Sequence, residues 1–192
     1  MSDEQLPAEI ATERLLLRCW RAGDGPGLKQ TIDSNLEHLQ RWMPWAIDEP
    51  SSQENMAARV LKFERGFLAG EDWPYGIFSI ADLSVVGACG LHRRSGPNTL
   101  EIGYWIGRRY TRQGYATEAA RVLTETAFSL SRIEHVEIRC DPENVASAGV
   151  PNRLGYSLVG ILKGDTVTPA GEPRDTMVWR IGRAEFARWH KA

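Results

Sequence analysis

Cysteine is scarce in this 192-residue chain: Cys19, Cys89 and Cys140 are odd in number, far apart and never in a C-x-x-C pair. That spacing argues against a disulfide or zinc framework and fits reduced, mostly buried thiols. Histidine is also rare, and His38, His92, His135 and His190 lack metal-ligand spacing, so no metal is expected. There is no excess of positive charge: 23 Lys and Arg against 25 Asp and Glu leave a formal net charge of −2. General nucleic-acid binding needs a basic footprint, so no nucleic-acid partner is expected. No stretch approaches the roughly 18 uninterrupted apolar residues of a membrane helix. The opening MSDEQLPAEIATE is acidic and polar, unlike a secretory signal or transit peptide, which points to a cytoplasmic protein without a membrane partner. Linkers, internal repeats and low-complexity tracts are missing too, and the length fits one domain over residues 1–192.

What is present has the balance of a globular protein, 42% hydrophobic and 25% charged. Arg14–Trp20 reads as a strand. Residues 24–45 carry helical spacing through Leu28, Ile32, Leu36, Leu39 and Met43, with Asp33 and Ser34 placed to break the run and Pro44 to end it. Residues 51–69 read as a helix capped by Ser51 or Ser52. The period then changes to two: Tyr75–Ile80 and Val85–Leu91 form a hairpin, and the SGPN turn leads into strand Leu100–Ile106. A helix over Gly114–Leu130, a strand over His135–Cys140 and a short helix before Gly155 follow. Strands Tyr156–Leu162 and Thr176–Ile181 and a last helix over Ala184–His190 complete an order β-α-α-α-β-β-β-α-β-α-β-β-α. Hairpins followed by β-α-β units predict a mixed α/β sheet flanked by helices.

The stretch LEIGYWIGRRYTRQGYATEAA at Leu100–Ala120 carries the most chemistry. An apolar strand enters a basic, glycine-containing turn that opens directly into an alanine-rich helix. The first amides of a helix lack intrahelical partners, and the helix dipole adds positive character, so the turn is an anion site. Gly114 lets a phosphate approach the backbone, Ala116 keeps the first turn open, and Arg108, Arg109 and Arg112 surround it with charge. A diphosphate-bearing ligand is its natural occupant; an ordinary connection with exposed arginines is the alternative. The chain has no G-x-x-x-x-G-K-[ST] motif, and G-x-G-x-x-G is absent at this junction.

That segment resembles the GNAT superfamily of N-acetyltransferases, and within it the RimJ/RimL-type branch. The family turn Q/R-x-x-G-x-G/A is filled by Thr111-Arg112-Gln113-Gly114-Tyr115-Ala116, departing only at Thr111. TERLLLR at Thr12–Arg18, HLQRWMPW at His38–Trp45, N-x-x-S followed by NRLGY at Asn144–Tyr156, and RDTMVW at Arg174–Trp179 extend the likeness over nearly the whole chain. The resemblance implies a mostly antiparallel sheet with a central, splayed parallel pair, Leu100–Ile106 beside Val136–Cys140, and acetyl-CoA as co-substrate. It further implies pantetheine contacts along Trp105, Ile106 and Gly107 and from Asn144. The pyrophosphate would rest on Arg112, Gln113, Gly114, Tyr115, Ala116 and Thr117, and Trp42 and Trp45 would form a substrate wall. Ser147 would protonate the leaving thiolate; a capping role for Asn144 and Ser147 at the next helix is the alternative, and the two can coexist. A carboxylate that the branch places after the G-Y pair would fall near Asp165, with Thr166 standing where a glutamate is expected.

Acetyl transfer to an amine requires a neutral amine, a donor for the oxyanion and a proton for the thiolate. Glu101, a charge in an otherwise apolar strand, is the candidate base; solvent exposure by simple alternation, or ordering of substrate, is its alternative. The expected acceptor is a protein N-terminal α-amine, with a small-molecule amine or a non-catalytic acetyl-CoA-binding module as alternatives. The assembly is expected to be a monomer or a homodimer. Because Gly149 and Pro151 interrupt the segment after Asn144, the helix there is expected to begin late, with Pro151 near its first turn and Ser147 on a loop.

Overall fold

A computed structural model describes residues 5–168 and 171–189. The elements follow the expected order, with one addition. Strand β1, Glu9–Ala11, precedes β2, Leu15–Cys19, and pairs with it antiparallel. Three residues, two of them exposed, carry too little alternation to be seen in sequence. Helices α1, Gly25–Asp33, and α2, Leu36–Gln40, divide at Ser34 as expected. Helix α3, Gln53–Leu68, starts from Ser52, whose side chain accepts the Asn55 N–H. Strands β3 (Trp73–Ser79), β4 (Val85–His92) and β5 (Thr99–Ile106), helix α4 (Tyr115–Ser129) and strand β6 (His135–Cys140) follow. Helix α5 is Val145–Arg153, β7 Ser157–Val167, β8 Pro173–Gly182 and α6 Arg183–Phe186. His190, the end expected for the last helix, lies outside the described residues.

The eight strands form one sheet in the order β1-β2-β3-β4-β5-β6-β8-β7. Among the described residues only β5 and β6 run parallel, in register from Thr99 opposite His135 to Ile102 opposite Ile138. The β7–β8 hairpin is longer than the sequence suggests. Strand β7 runs past its expected end at Leu162 to Val167, and β8 begins before Thr176 at Pro173, across a register shift between Leu162 and Thr166, where Gly164 takes φ 60°.

Each face of the sheet has its own apolar layer. On one, Leu17, Tyr75, Leu91, Leu100 and Ile102 meet Ala119, Ala120, Leu123 and Ala127 of α4. The alanines let the helix approach closely, while fully buried Leu123 fills the contact; its truncation to Ala would cost about 2–5 kcal/mol. On the other face, Leu28, Ile32, Met56 and Val60 of α1 and α3 cover Trp20 and Phe78. Arg183 closes the far end of α4, donating to the carbonyls of Phe128, Leu130 and Ile133 at 2.9, 2.8 and 2.6 Å.

Candidate active site

The turn between β5 and α4 is built around two left-handed residues, Arg112 (φ 61°) and Gly114 (φ 84°). Gly114 caps α4 without a side-chain hydrogen bond, and the first helical bond runs from Glu118 N–H to the Gly114 carbonyl at 2.9 Å. The amides of Tyr115, Ala116 and Thr117 therefore have no intrahelical acceptor and, with the helix dipole, form an anion cradle.

Arg14, just before β2, braces this turn. Its Nη1 donates to the Gln113 carbonyl at 2.9 Å and its Nε to Glu118 Oε2 at 2.8 Å, and its guanidinium lies 4.5 Å from the centre of the Tyr115 ring. A Cβ added at Gly114 would meet Arg14 Nη2 at 3.4 Å, an ordinary contact, so glycine is favoured here by its left-handed conformation. Sequence reasoning missed this role of Arg14, because nothing in a linear reading links residues about a hundred positions apart.

Beyond Ile102 and Ile138, β5 and β6 separate. Strand β5 continues to Ile106 paired only with β4, and β6 to Cys140 paired only with β8. The fork opens into a groove of about 860 Å³ that runs to the start of α4. Its walls include Trp105, Ile106, Arg112 and Gly114 through Thr117 on one side, Asn144 and Ser147 on another, and Trp42. Gly107 and Gln113 lie outside the wall and shape the turn: Gly107 N–H bonds the Val86 carbonyl at 2.8 Å, and Gln113 Nε2 bonds the Arg109 carbonyl at 2.8 Å. Trp45 stands behind the wall, its ring 6.1 Å from that of Trp105.

The expected late start of α5 is corrected by the structure. The helix begins at Val145 with Asn144 as its cap, Asn144 Oδ1 accepting the Ser147 N–H at 3.1 Å, and it carries Pro151 in its interior. Tyr104 Oη, from β5, donates to the Ser147 carbonyl at 3.2 Å, the acceptor that Pro151, lacking an N–H, cannot serve. Ser147 is thus on a helix, with its Oγ 3.0 Å from Tyr104 Oη. Cys140 is near: burial pushes its thiol up to about 11, only partly offset by a hydrogen bond with Ser147.

Glu101 lies one pair below the fork, between His92 of β4 and Glu137 of β6. It is buried rather than solvent-facing, at 9% exposure, and is absent from the groove wall. Arg94 and Arg139 approach its carboxylate at 3.5 and 3.6 Å, ion-pair distances longer than a hydrogen bond. Neighbouring Glu137 is more tightly held. Burial alone would raise its pKa, but hydrogen bonds from Arg180, Ser95 and Arg139 outweigh that and keep it below the usual carboxylate range. Asp165 is exposed on β7.

Arg174 of β8 crosses to the groove mouth. It pairs with Asp141 through Nε at 2.8 Å, donates to the Arg41 carbonyl through Nη2 at 2.8 Å, and lies 5.8 Å from the Trp42 ring centre.

Two parallel strands that part beside an uncapped helix N-terminus define an α/β fold suited to an extended thioester carrying a diphosphate. The comparisons narrow this class. A family model described as an acetyltransferase (GNAT) domain matches residues 14–157. The chain is 27% identical to the ribosomal-protein-serine acetyltransferase of Escherichia coli (strain K12) over 140 residues, covering 71% of this chain and 75% of that one. It is 28% identical over 155 residues to the uncharacterized N-acetyltransferase YnaD of Bacillus subtilis (strain 168), covering 80% and 85%. Among solved structures, the RimL ribosomal-protein acetyltransferase in complex with coenzyme A superposes with a TM-score of 0.82 at 23% identity, covering 95% of this chain and 99% of that one. The chain belongs to the GNAT acetyltransferase family and is an acetyl-CoA-dependent N-acetyltransferase.

Proposed function

We propose that this enzyme acetylates a protein N-terminal α-amine, using acetyl-CoA bound along the fork groove. The observation that carries this reading is the continuity of one groove from the uncapped amides of Tyr115–Thr117, past Trp105 and Ile106, to Ser147 and Trp42. The α4 amides and Arg112 fit a diphosphate, and the free edge of β5 fits the amide groups of a pantetheine arm. Bound there, the co-substrate supplies an activated acetyl carbonyl. Gly107 and Gln113 shape the turn, and Asn144 contributes its side-chain amide after its oxygen has capped α5.

Trp42 walls the acceptor side, with Trp45 packed behind it against Trp105, and the amine enters from the sheet face that carries Glu101. Glu101 is the base in this scheme, accepting the ammonium proton directly or through water, and Ser147 returns a proton to sulfur. Charge supports an α-amine. With a pKa near ~8 it is on the order of one-tenth neutral at pH 7, whereas a lysine amine at ~10.4 is well under a thousandth neutral. A carboxylate is a modest base, sufficient for the first. One further fact favours a protein acceptor: a relative that covers most of the chain is a ribosomal-protein-serine acetyltransferase.

The test is thiol release from acetyl-CoA with a panel of short peptides, free amino acids and small polyamines. Peptides with free N-termini are expected to turn over, and N-terminally blocked peptides containing lysine are not. Turnover confined to small amines would assign the enzyme to the small-molecule class. Tight coenzyme binding without any turnover would make it a binding module.

A further inference from the structure

We infer that Tyr104 is the positioning residue for Ser147, and that Pro151 is what leaves the Ser147 carbonyl open to it. This rests on the proton-donor role proposed for Ser147. In an unbroken helix the N–H of residue 151 would bond the carbonyl of residue 147. Proline has no N–H, so that bond is absent from the middle of α5, although proline at a helix interior is strongly unfavourable. Pro151 itself is buried, and the Ser147 carbonyl it leaves without a helical donor is part-buried at the groove wall.

Tyr104 fills the gap from across the groove. Its Oη lies 3.2 Å from the Ser147 carbonyl and 3.0 Å from Ser147 Oγ, and both residues line the groove wall. Burial raises the phenol further above its usual pKa, so it stays protonated and serves as a hydrogen-bond donor rather than an acid.

One phenolic proton and two oxygens of the same serine make a two-position switch. At rest the Tyr104 O–H points to the Ser147 carbonyl and its oxygen accepts the Ser147 hydroxyl, which fixes the serine rotamer. When Ser147 gives its hydroxyl proton to the departing sulfur, the Tyr104 O–H turns to Oγ and stabilises the charge left there. Ser147 then takes back, relayed through water in the groove, the proton that the amine gave up to Glu101. The net change is one proton moved from the attacking nitrogen to the departing sulfur. A structural irregularity that costs stability thus serves the proton donor.

The test combines kinetics and melting. Tyr104→Phe keeps the ring and removes the hydroxyl; kcat should fall about tenfold, with KM for acetyl-CoA and for the acceptor within about twofold of wild type. Ser147→Ala should lose more, and the Tyr104→Phe/Ser147→Ala double variant should be no slower than Ser147→Ala alone. An unchanged kcat in Tyr104→Phe, beside a slow Ser147→Ala, overturns the inference and leaves the serine donor standing. An unchanged kcat in Ser147→Ala removes the donor role and the inference with it.

The carbonyl link is read without turnover. Pro151→Ala restores an N–H to the helix, so its Tm should rise, and Tyr104→Phe should lower Tm less in that background than in wild type. Equal losses in the two backgrounds overturn the link between Pro151 and Tyr104.

Discussion

Arg174 and Asp141 form an almost enclosed ion pair at the mouth of the fork, with Nε 2.8 Å from Oδ2 and side chains only 13% and 10% exposed. The same guanidinium reaches the Arg41 carbonyl and lies near the Trp42 ring, so one side chain ties β8 and the end of β6 to the segment after α2. A planar fork with fixed donors can hold two such partners at once, which an ammonium cannot do in the same geometry.

Arg174→Ala should therefore loosen Trp42 and raise KM for the acceptor about fivefold to tenfold, with KM for acetyl-CoA nearly unchanged. Arg174→Lys should recover little of the loss. Steady-state kinetics varying each substrate in turn would check this. An equal rise in both KM values would mean that Arg174 supports the whole groove rather than its acceptor end.

Arg14 acts at the opposite end. Because it braces Gln113, Glu118 and Tyr115, Arg14→Ala should weaken coenzyme binding several-fold while leaving kcat at saturation close to wild type. Calorimetry with coenzyme A measures the first quantity directly. Ala116→Glu provides the stronger perturbation, since it puts bulk and negative charge at the α4 amides, and should abolish binding. Retained affinity there would mean that the diphosphate sits elsewhere.

The fold was legible where periodicity is long, and the site where a motif is contiguous. Helix α4, strand β6 and the Gly114 turn follow from spacing that any linear reading captures. What escaped was non-local. Strand β1 is three residues long and exists by pairing with β2; the β7–β8 hairpin continues through Gly and Pro because its partner strand supplies the order. Pro151 was misjudged for the same reason: helix propensity correctly counts the missing N–H, but the compensating hydroxyl of Tyr104 comes from β5, forty-three residues from Ser147. Glu101 was placed on the right strand, yet Arg94 and Arg139 beside it could be known only from the sheet.

Glu118 links acid stability to the site. Burial pushes its carboxyl pKa up, but hydrogen bonds from Thr12 and Arg14 outweigh that and leave it lowered from 4.5. A carboxylate with a lowered folded-state value stabilises the fold above the unfolded value and loses that contribution as pH falls through the folded one. Glu118→Gln should accordingly have a lower Tm than wild type at pH 7, by a few degrees, and the difference should shrink steadily below about pH 4.5. Thermal melts from pH 7 to pH 3 would show it. A constant difference across that range would show that the contact is not ionic.

Glu101→Gln tests the base. At pH 7 it should lower kcat by about tenfold to a hundredfold. The deficit should narrow toward pH 9, because an α-amine with pKa near ~8 loses its proton to solvent without help. A deficit that stays the same at both ends of the range would assign Glu101 to ordering the arginines beneath the fork instead.

Cys140 provides the last check, on the order of bond making. Its thiol lies beside Ser147 where a covalent acetyl carrier could be imagined, but burial pushes it up to about 11, so it is protonated and weakly nucleophilic at neutral pH. Direct attack by the amine needs no such carrier. Cys140→Ala should keep kcat within about threefold of wild type. Initial-rate plots with both substrates varied should intersect, as a ternary complex requires, and remain so in the variant. Parallel lines in wild type, together with a collapse of kcat in Cys140→Ala, would establish a carrier thiol and remove the direct route on which the roles of Glu101 and Ser147 depend.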